Sequence, residues 1–395
     1  MPDYPYSEVS LDSALKQLER HCQQDFPQAS PIPPALNHSR AFHAREVDRI
    51  FKSEWICVGR TDELQSSGNF LTYEIAQIPV LLVRQPNGEI KGFINACAHR
   101  FACLVPESKG TARKFTCRYH GWTYKTDGQL VAAPHMQMNS SFHMTEHGLK
   151  EIQVSEWEGF LYVCLTKKPQ VDLQTALSPL TENIVGRYDM GCYQTVLREE
   201  MQWSANWKNL VENFTESYHV PVAHGATFAT AGKPIEDYVV GEDSLHYCYH
   251  YAPQQADTGS GAAHKNNTRL KGEWRRMMVD FCIFPNHLIT LMPDYVWYIS
   301  VQPHGVDQFK AMWGVAVPPE VLEDIDDKFF DKWVDDMKNF IEVANQEDKV
   351  LVEALHKGSI SPLLPRGAYH PIERNLWQFT QYLHHRCQNS ENSIK

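Results

Sequence analysis

Residues 97–122, CAHRFACLVPESKGTARKFTCRYHGW, hold the four side chains from which the rest of the chain is best interpreted. One residue separates Cys97 from His99, two separate Cys117 from His120, and seventeen lie between the pairs. Zinc fingers usually group their ligands by type, cysteines first and histidines second. Here each segment offers one thiolate and one imidazole, as a Rieske [2Fe-2S] cluster requires, because its cysteines bind one iron and its histidines the other. The pattern predicts a Rieske cluster, with a closed zinc site as the alternative.

The residues around this stretch predict a small all-β domain over residues 53–165. Apolar and polar residues alternate from Val80 to Gln85 and from Ile90 to Asn95, on either side of an Asn-Gly turn, which is the pattern of a β-hairpin. Further short, strand-like runs follow the second Cys–His pair. We therefore expect a compact β domain that presents both metal loops at one end.

Composition limits the classes of function. The chain has 395 residues, 43% hydrophobic and 22% charged, which is enough for two domains with their own cores. The net charge of -11 and the lack of lysine and arginine runs argue against nucleic acid as a partner. Apolar runs such as Ile78 to Val83 are too short to span a bilayer. We expect no secretory leader, because the residues after Met1 lack a basic region followed by an apolar stretch. We expect a cytoplasmic protein that binds no membrane, with its cysteines outside the cluster reduced.

Residues 166–395 mix helical and strand patterns and predict an α+β domain. A helix is expected from Asn206 to His219, and Pro221 should end or bend it before His224. That bend lets two histidines converge although five residues is not a helical spacing. Two histidines and a carboxylate form the facial triad of non-haem Fe(II) oxygenases. The alternative is a surface helix with incidental histidines.

The third ligand is expected on a long helix predicted from Asp324 to Lys357. Asp348 interrupts an apolar stripe of that helix, and a buried carboxylate needs a partner such as a metal. Glu347 lies near the same arc, and periodicity leaves it open as the ligand. The stripe consists of Phe340, Ala344, Leu351 and Leu355.

Together, in this order and about one hundred residues apart, the two motifs resemble those of the oxygenase (α) subunits of Rieske non-haem iron oxygenases. The flanking residues match as well, with Arg100 after the first histidine and Gly121-Trp122 after the second. The resemblance runs from about Trp55 to Gly358. It implies a Rieske domain followed by a catalytic domain with a helix-grip-like curved antiparallel sheet and a long C-terminal helix. Residues 1–52 are expected to be a helical segment that packs on the catalytic domain.

The resemblance also implies two cofactors and their ligands. Glu353, five residues after Asp348, is similar to the family's C-terminal ligand segment, so Asp348 is preferred over Glu347. Asn213 is expected to hydrogen-bond close to the mononuclear iron. The implied ligands are Cys97, His99, Cys117 and His120 for the [2Fe-2S] cluster, and His219, His224 and Asp348 for a mononuclear Fe(II).

Glu216 stands where the family usually has an aspartate that connects a Rieske histidine of one subunit to an iron histidine of the next. This implies a head-to-tail homotrimer, in which electrons from NAD(P)H arrive through a separate flavin or iron–sulfur reductase. Glutamate at this place resembles the branch that acts on quaternary ammonium compounds such as carnitine and glycine betaine. The implied reaction is monooxygenation that removes an N-linked carbon.

Two other activities remain open at this point: an aromatic-ring hydroxylating oxygenase, and an electron carrier with an inert second domain. An aromatic cage that binds an ammonium group by cation–π attraction would favour the quaternary ammonium reaction, whereas the alternative for these residues is ordinary core. The cage candidates are Trp274, Phe281, Phe284, Tyr295, Trp297 and Tyr298.

Two residues near the cluster depart from related proteins, and one loop carries a separate prediction. Phe101 stands where the family commonly has glycine and is expected to alter packing beside the cluster without changing its ligands. Respiratory Rieske proteins join their ligand loops by a disulfide; Cys103 is available here, but Tyr119 occupies the other place. Residues Thr258 to Thr268 are small and polar and predict either a lid over a pocket or an inert loop.

Overall fold

The computed structural model describes residue 6 and residues 8–167, 169–225, 227, 235–253, 262–361, 363 and 365–388. Two compact units divide the chain: Met1–Ile50 with Gln174–Lys395, and Phe51–Leu173. Within the described ranges, no helix is long and apolar enough to cross a membrane.

The unit Phe51–Leu173 is built of β-strands. The predicted hairpin is confirmed, because Arg84 pairs with Ile90 and the Asn-Gly turn lies between them. Its strands are β1 (Ile56–Arg60), β2 (Asn69–Ile75), β3 (Ile78–Arg84), β4 (Ile90–Ile94), β5 (Lys109–Thr111), β6 (Lys114–Thr116), β7 (Thr123–Lys125), β8 (Leu130–Ala132), β9 (Glu151–Trp157) and β10 (Phe160–Cys164). A seven-stranded sheet has the order β1-β10-β9-β4-β3-β2-β5, and β6-β7-β8 form a second sheet of three strands. The first ligand loop follows β4, and the second connects β6 to β7.

The larger unit contains one seven-stranded antiparallel sheet with the order β11-β17-β16-β15-β14-β13-β12. Paired residues on neighbouring strands place their side chains on the same face, and successive residues on opposite faces. The strands are β11 (Gln194–Trp203), β12 (Val239–Val240), β13 (Tyr247–Pro253), β14 (Met277–Ile283), β15 (His287–Met292), β16 (Tyr295–Pro303) and β17 (Phe309–Val317).

Helices flank this sheet. They are α1 (Leu11–Cys22), α2 (Pro34–His38), α3 (Arg40–Glu46), α4 (Leu173–Asn183), α5 (Trp207–Phe214), α6 (Val220–Ala223), α7 (Pro319–Leu322), α8 (Asp327–Gly358) and α9 (Arg374–Cys387). The helix predicted from Asp324 begins later, at Asp327, because the Asp326 side chain accepts the N–H of Lys328 at 3.1 Å and caps the helix there.

The first fifty residues belong to the same unit as the second half of the chain. The Trp377 indole of α9 donates to the carbonyl of Gln24 at 3.1 Å, and Gln381 donates to the carbonyl of Cys22 at 3.1 Å. The C-terminal helix therefore fixes the end of α1. The expected α+β class is confirmed.

Candidate metal centres

The two Cys–His segments form loops of the same shape. The N–H of Phe101 donates to the carbonyl of Cys97 at 2.9 Å. The N–H of Gly121 donates in the same way to the carbonyl of Cys117 at 3.0 Å. Phe101 and Gly121 both have positive φ, 62° and 75°, a region that favours glycine. The phenyl ring of Phe101 is 82% exposed, so the expected change in packing beside the cluster is wrong.

The four candidate cluster ligands converge between these loops. Cys97 and Cys117 are buried, whereas the imidazoles lie at the surface with Nδ1 of His99 3.1 Å from Nδ1 of His120. Burial raises the pKa of the Cys97 thiol, so a metal must displace its proton. The geometry places sulfur ligands inside and imidazole ligands outside, an arrangement that suits a cluster with one iron near solvent.

Tyr124 on β7 is a residue that the sequence did not single out. Its hydroxyl lies 3.3 Å from Cys97 Sγ and accepts the N–H of Ala98 at 3.0 Å. The ring of Trp122 stacks on His99 at 4.8 Å between centroids. Hydrogen bonds to cluster sulfurs and burial tune the potential of such centres.

None of the ten cysteines, all of which are described, forms a disulfide.

The second candidate centre joins α6 to α8. His219 and His224 are the residues immediately before and after the one-turn helix α6. Their Nε2 atoms lie 3.5 and 3.2 Å from Oδ1 of Asp348 on α8. The three possible ligand atoms lie within 4.8 Å of one another. The structure therefore brings together the three residues expected to bind the mononuclear iron.

A metal ion fits this arrangement. Asp348 Oδ1 is buried and, among the described residues, has no hydrogen-bond partner other than the two imidazole nitrogens that face it. Burial alone would lower the pKa of His219, but Asp348 and Glu216 outweigh it and raise that pKa to about 10. Two imidazoles and a carboxylate around one point form the donor set of a non-haem Fe(II) site or of a catalytic zinc site.

Each histidine has a carboxylate on its outer nitrogen. Glu216 Oε1 lies 2.6 Å from Nδ1 of His219, and Glu347 Oε2 lies 2.8 Å from Nδ1 of His224. Glu347 also accepts the hydroxyl of Thr227 at 2.6 Å. Such partners fix the tautomer and the ring orientation of a metal-binding histidine. Of the two adjacent acids, Asp348 faces the imidazole pair from inside and Glu347 supports it from outside.

The helix predicted from Asn206 to His219 is wrong at its end, because α5 stops at Phe214. The N–H groups of Tyr218 and His219 donate to the Glu216 carboxylate instead of to carbonyls four residues earlier. This local side-chain capture ends the helix before the proline is reached. It also aims Glu216 at His219.

Asn213, the last-turn residue of α5, lies beside the centre. Its Nδ2 is 3.4 Å from Nε2 of His219, and its Oδ1 is buried without a hydrogen-bond partner in the described part of the chain. The side chain therefore faces the position that the three ligand atoms surround.

The six aromatic residues expected to form a cage do not come together. Phe281 and Tyr298 lie on the face of the sheet opposite to Trp297, since Phe281 pairs with Ile289 and Ile289 with Tyr298. Trp274 is covered by the Arg187 guanidinium at 4.4 Å. Of the six, Trp297 packs against α5, since its ring lies 6.0 Å from that of Phe214.

The segment from Thr258 to Thr268, predicted to be a lid or an inert loop, lies only partly within the described residues. Residues 258–261 lie outside the described residues. Within the described remainder, the carbonyls of Ala263 and His264 accept hydrogen bonds from Arg275 at 2.8 and 3.1 Å. These two residues are therefore fixed to the segment that precedes β14.

Two family models match the chain. The model for the ring hydroxylating alpha subunit (catalytic domain) matches residues 190–389, and the model for the Rieske [2Fe-2S] domain matches residues 54–150. The first match covers about half of the chain and contains the three residues of the α6–α8 centre. The second contains both Cys–His loops.

Two curated relatives are monooxygenases named for choline and for glycine betaine. The chloroplastic choline monooxygenase of Arabidopsis thaliana is 28% identical over 367 residues, 90% of this chain and 83% of that protein. The glycine betaine monooxygenase oxygenase subunit of Pseudomonas aeruginosa (strain UCBPP-PA14) is 37% identical over 179 residues, 45% of this chain and 41% of that protein. The chain thus spans less than half the length of the second relative.

A solved structure shares the fold. The crystal structure of the quaternary ammonium Rieske monooxygenase CntA with L-carnitine superposes with a TM-score of 0.78 at 19% identity, covering 98% of this chain and 100% of that one. The match confirms the Rieske domain and the catalytic domain with a curved antiparallel sheet. At this identity it carries no information on substrate.

Proposed function

The chain belongs to the family of ring-hydroxylating oxygenase alpha subunits with a Rieske [2Fe-2S] domain, and we propose that it is the terminal oxygenase of a quaternary ammonium monooxygenase. The cofactors of these two domains are a Rieske cluster and a mononuclear iron. The single observation that carries the oxygenase activity is the α6–α8 centre, in which His219, His224 and Asp348 offer ligand atoms within 4.8 Å of one another.

The Rieske domain would receive electrons. Cys97 and Cys117 would hold the buried iron and His99 and His120 the outer one, with a separate NAD(P)H-dependent reductase as the donor. The exposed imidazole edges support this role, because electrons then enter and leave through groups at the surface.

Glu216 would carry electrons onward. Its carboxylate lies 2.6 Å from Nδ1 of His219. In a head-to-tail homotrimer, the same carboxylate would also accept a hydrogen bond from a Rieske histidine of a neighbouring subunit. When bound, the mononuclear iron supplies O2 activation for insertion of one oxygen atom into a C–H bond. Asp348 and both histidines would hold the iron, Glu347 would orient His224, and Asn213 would face the reacting region.

The proposed substrate is a quaternary ammonium compound. The choline and glycine betaine relatives and the glutamate at 216 support this class. Hydroxylation of an N-linked methyl consumes O2, two electrons and two protons, and it yields water and a hemiaminal. The hemiaminal collapses to the tertiary amine, formaldehyde and a proton, so the carbon–nitrogen bond breaks without further oxidant.

An oxygen-consumption screen tests the proposal. The holoenzyme with a surrogate reductase is offered choline, glycine betaine, carnitine and a set of aromatic acids. We expect substrate-dependent O2 uptake with a quaternary amine, together with an oxidised or demethylated product. O2 uptake with aromatic acids alone, giving a cis-diol or phenol, would overturn the substrate class.

The ring-hydroxylating activity is the second candidate, because the family model that covers half of this chain is described by it. An electron carrier is distinguished by metal content. The oxygenase requires about three irons per chain, two in the cluster and one at the facial triad, whereas a carrier requires about two.

A further inference from the structure

A row of side chains crosses four strands on one face of the larger sheet. His250 pairs with Asp280, Asp280 with Thr290, and Thr290 with Trp297, so all four point to the same side. The ring of Trp297 packs against Phe214 of α5. The row therefore lies on the face covered by the helix that leads to Glu216 and His219.

Asp280 is the acidic member of this row. Its carboxylate accepts the Thr290 hydroxyl at 2.6 Å and lies 3.3 Å from Nε2 of His250. The side chain is 14% exposed, although β14 is an interior strand with neighbours on both sides. Its open side therefore faces outward from the sheet, toward the helix-covered space.

His250 does not neutralise this carboxylate. Asn375 Nδ2 donates to the carbonyl of Thr215 at 3.0 Å and lies 3.3 Å from Nδ1 of His250. Because an amide nitrogen only donates, that Nδ1 must accept and carries no proton. The imidazole is therefore neutral, and its single N–H is on Nε2, which lies 2.6 Å from the hydroxyl of Ser217.

The same contact places Asp280 close to the candidate iron centre. Ser217 is two residues before His219 and contacts the histidine that contacts Asp280. Tyr238, whose ring lies 5.7 Å from that of His250, also faces this group. Burial raises the pKa of Tyr238 to about 12 and Asp280 adds to the rise, so the phenol stays neutral.

The charge of Asp280 thus lacks a cationic partner among the described residues. Its contacts are a hydroxyl and a neutral imidazole, and the other charge that acts on Tyr238 is Glu216, another acid. A largely buried carboxylate without a counter-charge is costly. The protein retains it beside the centre where a substrate would react.

Trp297 faces the same space from the other side of Thr290. Strands two apart are separated by about 10 Å, so the indole and the carboxylate flank the Thr290 side chain on this face of the sheet. The indole is 5% exposed, and its Nε1 has no hydrogen-bond partner in the described part of the chain. A carboxylate and an aromatic face are the two groups that attract a cation.

We propose that Asp280 binds the cationic group of the substrate, with Trp297 on the opposite side of that group. The assignment rests on the proposed quaternary ammonium substrate and names the residue that selects it. A quaternary ammonium has no N–H, so its attraction to Asp280 is purely electrostatic and leaves the bonds to Thr290 and His250 in place. An uncharged substrate of the same shape gains nothing from the carboxylate.

The test compares Asp280→Asn with wild type in the iron- and cluster-loaded protein. Binding of choline and of its neutral isostere, in which a carbon replaces the nitrogen, is measured anaerobically by calorimetry. We expect wild type to bind choline at least about tenfold more tightly than the isostere, and Asp280→Asn to lose about tenfold for choline alone, about 1.4 kcal/mol. Thr290→Val, which removes a hydrogen bond but keeps the charge, should retain the preference.

Equal affinity of Asp280→Asn and wild type for choline overturns the role of Asp280 while leaving the proposed function intact. A wild-type protein that binds no choline, glycine betaine or carnitine overturns the proposed function, and this inference with it. Cluster absorbance and iron content show whether the variant is folded. If Asp280→Asn does not fold, wild type alone decides, because equal binding of choline and its isostere contradicts the proposal.

Discussion

At the scale of single residues, Glu216 is the side chain on which the proposed electron path depends, and it also supports the proposed substrate class. It lies 2.6 Å from Nδ1 of His219, and it also accepts main-chain N–H groups. Glu216→Gln keeps the size of the side chain but removes the charge that holds the imidazole N–H. We expect both metal centres to remain and product formed per electron to fall at least about tenfold, since loss of a group that orients a metal-binding histidine typically lowers activity 10–100-fold.

The measurement follows product, O2 and reductant in the same reaction. Glu146→Gln, at an exposed glutamate of the Rieske unit, provides the matched control. Unchanged coupling in Glu216→Gln would show that electrons do not pass this carboxylate.

Asp348 and Glu347 allow a direct comparison of two neighbouring acids. Asp348 contacts Nε2 of both His219 and His224, whereas Glu347 contacts Nδ1 of His224 at 2.8 Å. Asp348→Ala should remove the mononuclear iron, lowering iron from about three to about two per chain while the visible spectrum of the cluster persists. Glu347→Ala should weaken iron binding by about 10–100-fold without abolishing it.

Iron quantitation together with the cluster spectrum separates these outcomes. If Glu347→Ala loses the iron and Asp348→Ala keeps it, the assignment of the third ligand is reversed.

Sequence periodicity predicted that Asp348 is buried, but it predicted the wrong set of residues around it. The predicted apolar stripe included Phe340 and Leu355, which are 40% and 54% exposed. The face that is buried follows a different arc and contains Ile341, Ala344, Asn345, Asp348, Val352 and His356. Half of these residues are polar, so hydrophobicity alone could not locate a face that packs against a metal site and a buried histidine.

At the scale of elements, the break between α5 and α6 shows what local sequence cannot supply. Pro221 predicted an interruption between the two histidines, and this is wrong, because Pro221 lies in the first turn of α6, which joins them. The interruption comes earlier, at residues 215–219, where Glu216 accepts main-chain N–H groups. Glutamate is a good helix former, so propensity predicts continuation at this residue. The same carboxylate also holds Nδ1 of His219, a side-chain contact that helix propensity does not take into account.

The contact between α2 and α8 should make the larger unit sensitive to acid. The rings of His38 and His356 lie 4.5 Å apart, and burial lowers their pKa values to about 3 and about 4. The unfolded chain takes up these protons near pH 6.5, whereas the folded chain does not. The stabilisation is complete above pH 6.5, and the free energy of unfolding falls as the pH drops from there toward about 4.

His38→Gln removes one of these groups and tests the effect. The free energy of unfolding in urea, measured at pH 7 and pH 5.5, should fall by about 1 kcal/mol more in wild type than in the variant. The variant is less stable at both values, because a buried bond to Ser359 is lost, so the difference between the two pH values is the quantity compared. Equal losses in both proteins would contradict buried neutral histidines.

At the scale of the whole molecule, the sequence predicted the type of each domain better than the order in which its strands pair. The Cys–His spacing and the Asn-Gly hairpin are local signals, and both correspond to what the structure contains. Strand order is not local: β10 pairs with β1, and β4 with β9, across most of the Rieske unit. Asp280 was missed for the same reason, since its significance comes from Ser217 and His250, which are remote from it in sequence.

Assembly into a head-to-tail trimer can be tested by subunit complementation. Cys117→Ser should abolish the cluster and Asp348→Ala the mononuclear iron, so each variant alone is expected to be inactive. In a mixed ring, a junction works when the donor subunit keeps its cluster and the acceptor keeps its iron. A head-to-tail trimer that contains both variants, in either ratio, has one such junction out of three, so about a third of wild-type activity per chain should return in the mixed assemblies.

The two variants are co-expressed with different affinity tags, and the doubly purified assemblies are assayed for product. Variants purified separately and mixed without exchange serve as the control and should remain inactive. Electron transfer within one chain predicts no recovery in any mixture, because no chain then carries both intact centres. Recovery therefore requires electrons to cross between subunits, which is the condition under which Glu216 of one chain can serve the cluster of another.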